Sequence, residues 1–238
     1  MRRIFIAFSL VTVAGLSLAG CPDFVLSPPA QFLPLESPRP LNEGRTYLGV
    51  EGGVASAVFG PDIPGGSLVV RHGLGDDLEL RIDASAGWIT DASPSLDFRG
   101  IASARVGFKG LVSPNFPHAA WVAGIGGGAS AAGGFVSGDA GLVFGYENPY
   151  IVPFLRMSLV TSVPIAARQV DITDAGAEEP SPTFDTPHTT FGARLGVGAR
   201  IPIDPAEITF GLTYLQLVDT RGEDIGIFGL SVGVGTSF

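Results

Sequence analysis

Cysteine is almost absent from this sequence. The 238 residues include one cysteine, Cys21, so no disulfide can form within the chain. A small exported fold held together by several disulfides is thereby excluded, although an oxidising compartment would permit them.

Lysine and arginine are also scarce. There are 14 of them against 23 acidic residues, which gives a formal net charge of −9. A protein that follows a phosphate backbone needs clustered basic side chains, so we expect no nucleic-acid partner. Charged residues make up only 16% of the chain and apolar residues 45%. Such a low charged fraction indicates that part of the surface faces something other than water.

The signals of helical structure are weak. From Arg45 onward there is no run of 18 apolar residues that would suit a membrane-spanning helix. The chain has two methionines against 34 glycines and 16 phenylalanines. Glycine costs roughly 1 kcal/mol in a helix interior, whereas aromatic side chains suit a pleated surface. This composition favours an all-β fold of many short strands with turns.

Alternation with a period of two residues runs through the second part of the chain. From Leu78 to Trp88, apolar side chains fall on one face and the charged Glu79, Arg81 and Asp83 on the other. Similar segments can be drawn at 45–59, 67–74, 78–88, 98–112, 119–130, 135–146, 150–163, 189–202, 206–219 and 225–238. Most suit the roughly 9–11 residues that a tilted strand needs to cross a bilayer. The sequence predicts a single antiparallel transmembrane β-barrel of ten strands over residues 45–238, with eight strands as the alternative if the glycine-rich region 124–134 fails.

The connections between these segments alternate in length. One end of the predicted barrel has mostly short turns, whereas the other end carries the longest loop, residues 164–188. Bacterial barrels place short turns in the periplasm and long loops outside. The pattern therefore predicts which end faces the periplasm.

The N-terminus has the features of an export signal. Arg2 and Arg3 precede an apolar run and a small-residue cleavage site, which predicts a signal peptide over residues 1–20. Residues 18–21, Leu-Ala-Gly-Cys, resemble the lipobox of bacterial lipoproteins. The resemblance implies that Cys21 is acylated after cleavage; the alternative is an ordinary signal peptide followed by a stray cysteine.

The segment between the signal and the barrel is rich in proline. Residues 21–44 contain six prolines and show no sustained periodicity, which is typical of an extended spacer. We interpret it as a lipid-anchored linker. Its apolar residues Phe32, Leu33 and Leu35 leave open the alternative that it tucks into the barrel or docks a partner.

Two motifs point to a known group of proteins. Residues 71–80 form a turn flanked by strand residues, and Leu230, Val232 and Val234 alternate towards the terminal Phe238. In both, the chain resembles the small outer-membrane β-barrel proteins of Gram-negative bacteria. The resemblance implies contact with outer-membrane lipid and lipopolysaccharide, and handling by the lipoprotein-processing and barrel-assembly machineries. The residues that would form the assembly signal are Ser231, Gly233 and Phe238.

The predicted lumen face carries charges of both signs. A barrel of eight to ten strands is nearly filled by its own side chains, so we expect a salt-bridged, closed lumen and a structural or interaction role. The alternative is a narrow pore for small anionic solutes, lined by arginines. The predicted lumen network consists of Glu51, Arg71, Glu79, Arg81, Asp83, Arg99, Arg105, Arg156, Arg194 and Arg200, with Lys109, Asp139 and Glu207 on the same face.

Catalytic chemistry has little support in the sequence. Asp185 and His188 form the only acid–base grouping at the predicted outer rim, which leaves a rim hydrolase as a second alternative. There is no nucleophile elbow and no metal-ligand spacing. We therefore expect a protein that is not an enzyme and that requires no cofactor or metal.

Overall fold

The computed structural model describes residues 25–57, 62–90, 99–171 and 184–238, and the predicted signal peptide and Cys21 lie outside them. Twelve strands are present in these ranges. They are β1 (Thr46–Ala57), β2 (Asp62–Gly75), β3 (Leu78–Trp88), β4 (Gly100–Leu111), β5 (Ala119–Ser130), β6 (Gly133–Gly145), β7 (Val152–Ala167), β8 (Val170–Asp171), β9 (Phe184–Asp185), β10 (Thr190–Ile203), β11 (Ala206–Asp219) and β12 (Asp224–Ser237).

Ten of these strands form a closed antiparallel barrel. Each pairs with its neighbour in sequence, except that β7 pairs with β10, and β1 pairs with β12 to close the wall. The closing pair runs from Tyr47 opposite Ser237 to Ala57 opposite Ile227. Closure leaves no edge strand with unpaired backbone groups. The predicted ten-stranded barrel is therefore confirmed.

The glycine-rich hairpin between β5 and β6 is complete. Its two strands pair from Ala119 opposite Phe144 up to Ser130 opposite Gly133. Gly133 has a φ of 109°, a left-handed conformation that a residue with a side chain rarely adopts. The eight-strand alternative is wrong because this turn needs only Ala131 and Ala132.

Two predicted loops contain strand structure. β2 begins at Asp62 and so includes part of the predicted loop 60–66. A Cβ on Gly65 would lie 2.7 Å from the carbonyl oxygen of Ala86, so the strands approach closely where a turn was expected. Within the predicted loop 164–188, β7 continues to Ala167, and β8 and β9 pair as a small separate sheet.

The strands present apolar side chains outwards and polar or small ones inwards. On β12, Leu230 and Val232 are each 56% exposed, whereas Ser231 between them is 2% exposed. The same alternation leaves Val50, Leu68 and many other apolar side chains on the outer face. A continuous apolar surface of this kind is unsuited to water.

The two ends of the barrel differ in their connections. We call the end with residues 76–77 and 204–205 the lower rim, and the end with residues 168–171 and 184–189 the upper rim. Phe238 reaches the lower rim, where its backbone exchanges two hydrogen bonds of 2.9 Å with Thr46. Within the described ranges, no helix is long and apolar enough to cross a membrane.

Candidate functional site

Residues 25–44, here called the plug segment, pass through the lumen of the barrel. At the upper rim, Leu26 forms a parallel β-bridge with His188. At the lower rim, the amide of Leu41 donates a 2.8 Å hydrogen bond to Glu79, and the amide of Gly44 donates one of 3.0 Å to Gly73. The segment therefore crosses the barrel over its full height.

The interpretation of this segment as a linker is wrong for its described part. Its buried prolines are Pro28, Pro29, Pro34, Pro38 and Pro40. Proline lacks a backbone N–H. A proline-rich segment therefore brings into the lumen fewer backbone donors that need a hydrogen-bond partner. The alternative that the segment tucks into the barrel is what the structure shows.

Hydroxyl groups of the wall bind the upper half of the plug segment. The hydroxyl oxygens of Ser27 and Ser162 lie 2.9 Å apart. The amide of Ala30 donates to Ser137 at 2.8 Å, and its carbonyl oxygen accepts from Ser103 at 2.8 Å. The two contacts of Ala30 satisfy backbone groups that are shielded from water.

Cationic side chains of the wall bind the lower half. Arg81 donates to the carbonyl oxygen of Leu35 at 2.8 Å. Arg156 forms a 2.8 Å ion pair with Glu36, the one acidic side chain that the plug segment contributes to the interior. Both arginines are at most 2% exposed, so their charges depend on these partners.

The ion pairs of the wall join into a network through shared carboxylates. Asp83 contacts Arg81 at 2.7 Å and Arg105 at 3.3 Å. Asp139 contacts Arg105 at 2.6 Å and Arg156 at 3.1 Å. An aspartate that bridges two guanidinium groups links two ion pairs into one network, whose members polarise one another. The network thus runs from β3 across to β7, where it meets Glu36.

Opposite charges balance in the interior. Among the described residues, six cations and seven carboxylates form ion pairs there, and Arg194 raises the number of cations to seven as well. Its guanidinium donates to the carbonyl oxygen of Gln31. The paired groups are Arg71, Arg81, Arg105, Lys109, Arg156, Arg200, Glu36, Glu51, Glu79, Asp83, Asp139, Glu147 and Glu207.

Most predicted lumen residues take part in these ion pairs, but among the described residues Arg99 and Arg194 do not. Arg99 lies just before β4 and is half-buried, outside the network. Glu36 and Glu147 are members that the sequence interpretation missed. Glu36 falls in the supposed linker, and Glu147 falls in a turn, so neither shows the strand periodicity that marked the others.

Apolar side chains also line the lumen. Near the upper rim, Leu215 and Leu217 point inwards, are 1% exposed, and pack with Leu26, Phe32 and Leu33 of the plug segment. Nearer the lower rim, a separate cluster contains Leu35, Val122, Val143 and Phe154. The inward face of the wall is therefore not uniformly polar.

A small cavity remains between the plug segment and strands β1 to β3. Its volume is about 60 Å³, and glycines such as Gly52, Gly66 and Gly87 line it because they leave the wall without side chains. The buried amide of Gln31 also faces it. A space of this size accommodates a few water molecules, which is too little for a nutrient-sized solute.

The predicted catalytic candidates lie at the upper rim but in structural roles. Asp185 accepts hydrogen bonds of 2.9 and 3.0 Å from Arg221 and one of 3.0 Å from the amide of Val25. Burial alone would raise the pKa of Asp185, but these hydrogen bonds lower it below its ordinary value. Among the described residues, no hydrogen bond joins Asp185 to His188.

Aromatic side chains lie on the outer wall near the rims. Trp88 ends β3 at the upper rim and is 54% exposed. Trp121, Tyr146 and Tyr150 lie near the lower rim and are exposed. Tyr214 stands further from a rim and packs against Phe228.

No protein-family model and no curated protein matches the chain. Solved structures with a similar fold include the N-terminal β-barrel domain of OprF from Pseudomonas aeruginosa, with a TM-score of 0.38, 15% identity, and coverage of 83% of this chain and 100% of that one. An outer membrane channel from Pseudomonas putida F1 has a TM-score of 0.44 and 12% identity, covering 87% and 100%.

The outer membrane protease OmpT from Escherichia coli has a TM-score of 0.37 and 9% identity, covering 88% of this chain and 100% of its own. These three proteins are described as a barrel domain, a channel and a protease. Likenesses this distant do not assign an activity to this chain, because one fold hosts many functions.

Proposed function

We propose that this chain is an outer-membrane β-barrel whose lumen is closed by its own N-terminal segment, and that it serves a structural or interaction role at the cell envelope. The observation that carries the proposal is the plug segment, which crosses the lumen and is bound by wall groups at both rims and between them. A barrel filled in this way has no open path for solutes.

The outer surface supports a membrane location. The wall presents apolar side chains around the barrel, and its backbone groups are paired strand to strand. In a bilayer core every backbone N–H and C=O must be paired within the protein. Trp88 near one rim, and Trp121 and Tyr146 near the other, stand where interfacial aromatic residues belong. The short turns of the lower rim support a periplasmic location for that end.

The charge balance of the interior supports closure over an anion-selective pore. An arginine-lined pore attracts anions only if its positive charges are not already compensated. Here Arg81, Arg105 and Arg156 each contact two carboxylates. The plug carboxylate Glu36 completes the balance.

The lipid anchor at Cys21 forms part of the same proposal. Its support is the lipobox-like sequence at residues 18–21. In such a modification the Cys21 sulfur forms a thioether to the diacylglyceryl group of a phospholipid, whose polar head group leaves with the thiol proton. The same proposal assigns Ser231, Gly233 and Phe238 to recognition by the assembly machinery.

Two measurements on the full-length protein test this proposal. A closed barrel keeps its hydrogen-bonded wall in detergent until it is heated, so unboiled and boiled samples should differ in gel mobility. In planar bilayers the same protein should show no steady open channel. The absence of a mobility shift would contradict the membrane barrel, and a stable conductance would contradict the closed lumen.

A further inference from the structure

The direction of the plug segment decides where the N-terminus of the exported chain lies. The segment meets the upper rim at Val25 and Leu26 and the lower rim at Leu41 and Gly44. The chain therefore runs downward through the lumen before β1 turns back up at Thr46. The N-terminal end of the described chain, at Val25, therefore lies at the upper rim, and we call this place the exit.

Three independent contacts fix this exit. The amide of Val25 donates to Asp185, which Arg221 holds through both of its oxygens. Leu26 forms its β-bridge with His188. One residue further in, the carbonyl oxygen of Ser27 accepts a 2.9 Å hydrogen bond from Thr190, the first residue of β10. The exit is therefore bound to Asp185 and His188 and to Thr190 at the start of β10.

The remaining chain is too short to return to the other rim. Four peptide links join Cys21 to Val25, and a fully extended chain covers at most about 3.6 Å per residue, or about 14 Å in total. A wall of 11 to 16 residues per strand, tilted as in bacterial barrels, stands at least about 30 Å high. Cys21 therefore cannot reach the membrane interface at the lower rim.

We infer that the plug segment carries the N-terminus of the mature chain through its own barrel to the extracellular side, where the acyl chains on Cys21 enter the outer leaflet. A lipid anchor in the periplasmic leaflet would require a segment running the opposite way. The inference rests on the proposed membrane orientation and on the proposed acylation of Cys21. Its ligand is the lipid of the outer leaflet.

A thiol placed next to the anchor tests the side on which it lies. In Asp23→Cys, with Cys21 unchanged, a membrane-impermeant maleimide should label intact cells. The matched control Asp76→Cys, in the turn of the lower rim, should be labelled only after the outer membrane is permeabilised. If Asp23→Cys, like the control, were labelled only after permeabilisation, the inference would be overturned.

A second readout separates this inference from the lipid proposal. An acylated Cys21 has no free thiol, so the unaltered protein should remain unlabelled even when denatured, and should incorporate an alkyne fatty acid in growing cells. Maleimide labelling of the denatured unaltered protein would refute acylation, whichever side Asp23→Cys reports. Fatty-acid incorporation together with a periplasmic Asp23→Cys would refute the surface location alone.

Discussion

The upper and lower halves of the lumen hold the plug segment by different interactions. In the upper half, hydroxyls of Ser137 and Ser162 and apolar side chains such as Leu215 bind it. In the lower half, buried arginines bind it through Glu36 and the carbonyl oxygen of Leu35. Apolar contacts are not directional, so they tolerate small shifts of the segment. A buried ion pair is strongly destabilised when one partner is lost. We expect the lower half to fix the position of the segment and the upper half to seal it.

The largest effect should follow loss of the plug carboxylate. Glu36→Ala leaves Arg156 buried with only Asp139 as a counter-charge. Removal of one partner of a buried pair typically costs 3–5 kcal/mol, so we expect a loss of about 3 kcal/mol in the free energy of unfolding. Urea titration in detergent, followed by the gel mobility of unboiled samples, measures this loss.

The double variant Glu36→Ala/Arg156→Leu is the matched control for that experiment. It removes the uncompensated charge together with its partner, so it should recover part of the lost stability. Equal stability of Glu36→Ala and the unaltered protein would show that Glu36 does not meet Arg156 in the lumen.

A steric test addresses the upper half. A Cβ added at Gly229 would overlap the end of the Leu33 side chain, so Gly229→Ala should displace that side chain and cost roughly 1–3 kcal/mol. Leu33→Ala removes the obstructing atoms. The double variant should therefore be more stable than Gly229→Ala alone, measured by the same urea titration. Additive losses in the double variant would contradict this contact.

A hydroxyl deletion in the same half should have an effect of similar size. Ser137→Ala removes the acceptor of the buried Ala30 amide, and an unsatisfied buried donor costs about 1–3 kcal/mol. Val136→Ala is the adjacent control, because Val136 lies on the outer face. Hydrogen exchange of the Ala30 amide should rise in Ser137→Ala and stay unchanged in Val136→Ala; the reverse result would place Ala30 elsewhere.

The smallest effect belongs to the upper rim and depends on pH. The folded protein lowers the pKa of Asp185 through Arg221 and the Val25 amide. Its contribution is present above the unfolded pKa, about 3.9, and is lost as the pH falls through the lower folded value. An exposed pair contributes about 0–1 kcal/mol. Protease cleavage near Val25 should increase slightly in acid, and Asp185→Asn should abolish that pH dependence.

The strands were predictable and the plug segment was not, for one physical reason. A strand between lipid and lumen must alternate in polarity, as Leu80, Arg81 and Ile82 do, so its sequence carries the period. The plug segment is surrounded by protein on all sides, so Phe32, Pro34 and Glu36 need not alternate. Its charged partners on the wall were visible in the sequence, but the counter-charge that Glu36 brings to Arg156 was not.

Prediction from the sequence has the same limit at the upper rim. Asp185 and His188 are close in sequence and suggest acid–base chemistry. Their partners, Arg221 and Leu26, are distant in sequence and give them structural roles instead. Only tertiary contacts could reveal that these residues hold the exit of the plug segment.

Disulfide trapping tests the central claim most directly. In Ser27→Cys/Ser162→Cys, two hydroxyl oxygens that lie 2.9 Å apart become thiols, close enough to bridge. The account predicts that this pair crosslinks in the folded protein, whereas Ser27→Cys/Val163→Cys does not, because Val163 faces outwards and is 43% exposed. No crosslink in the first pair, or equal crosslinking in both, would show that the segment lies outside the lumen.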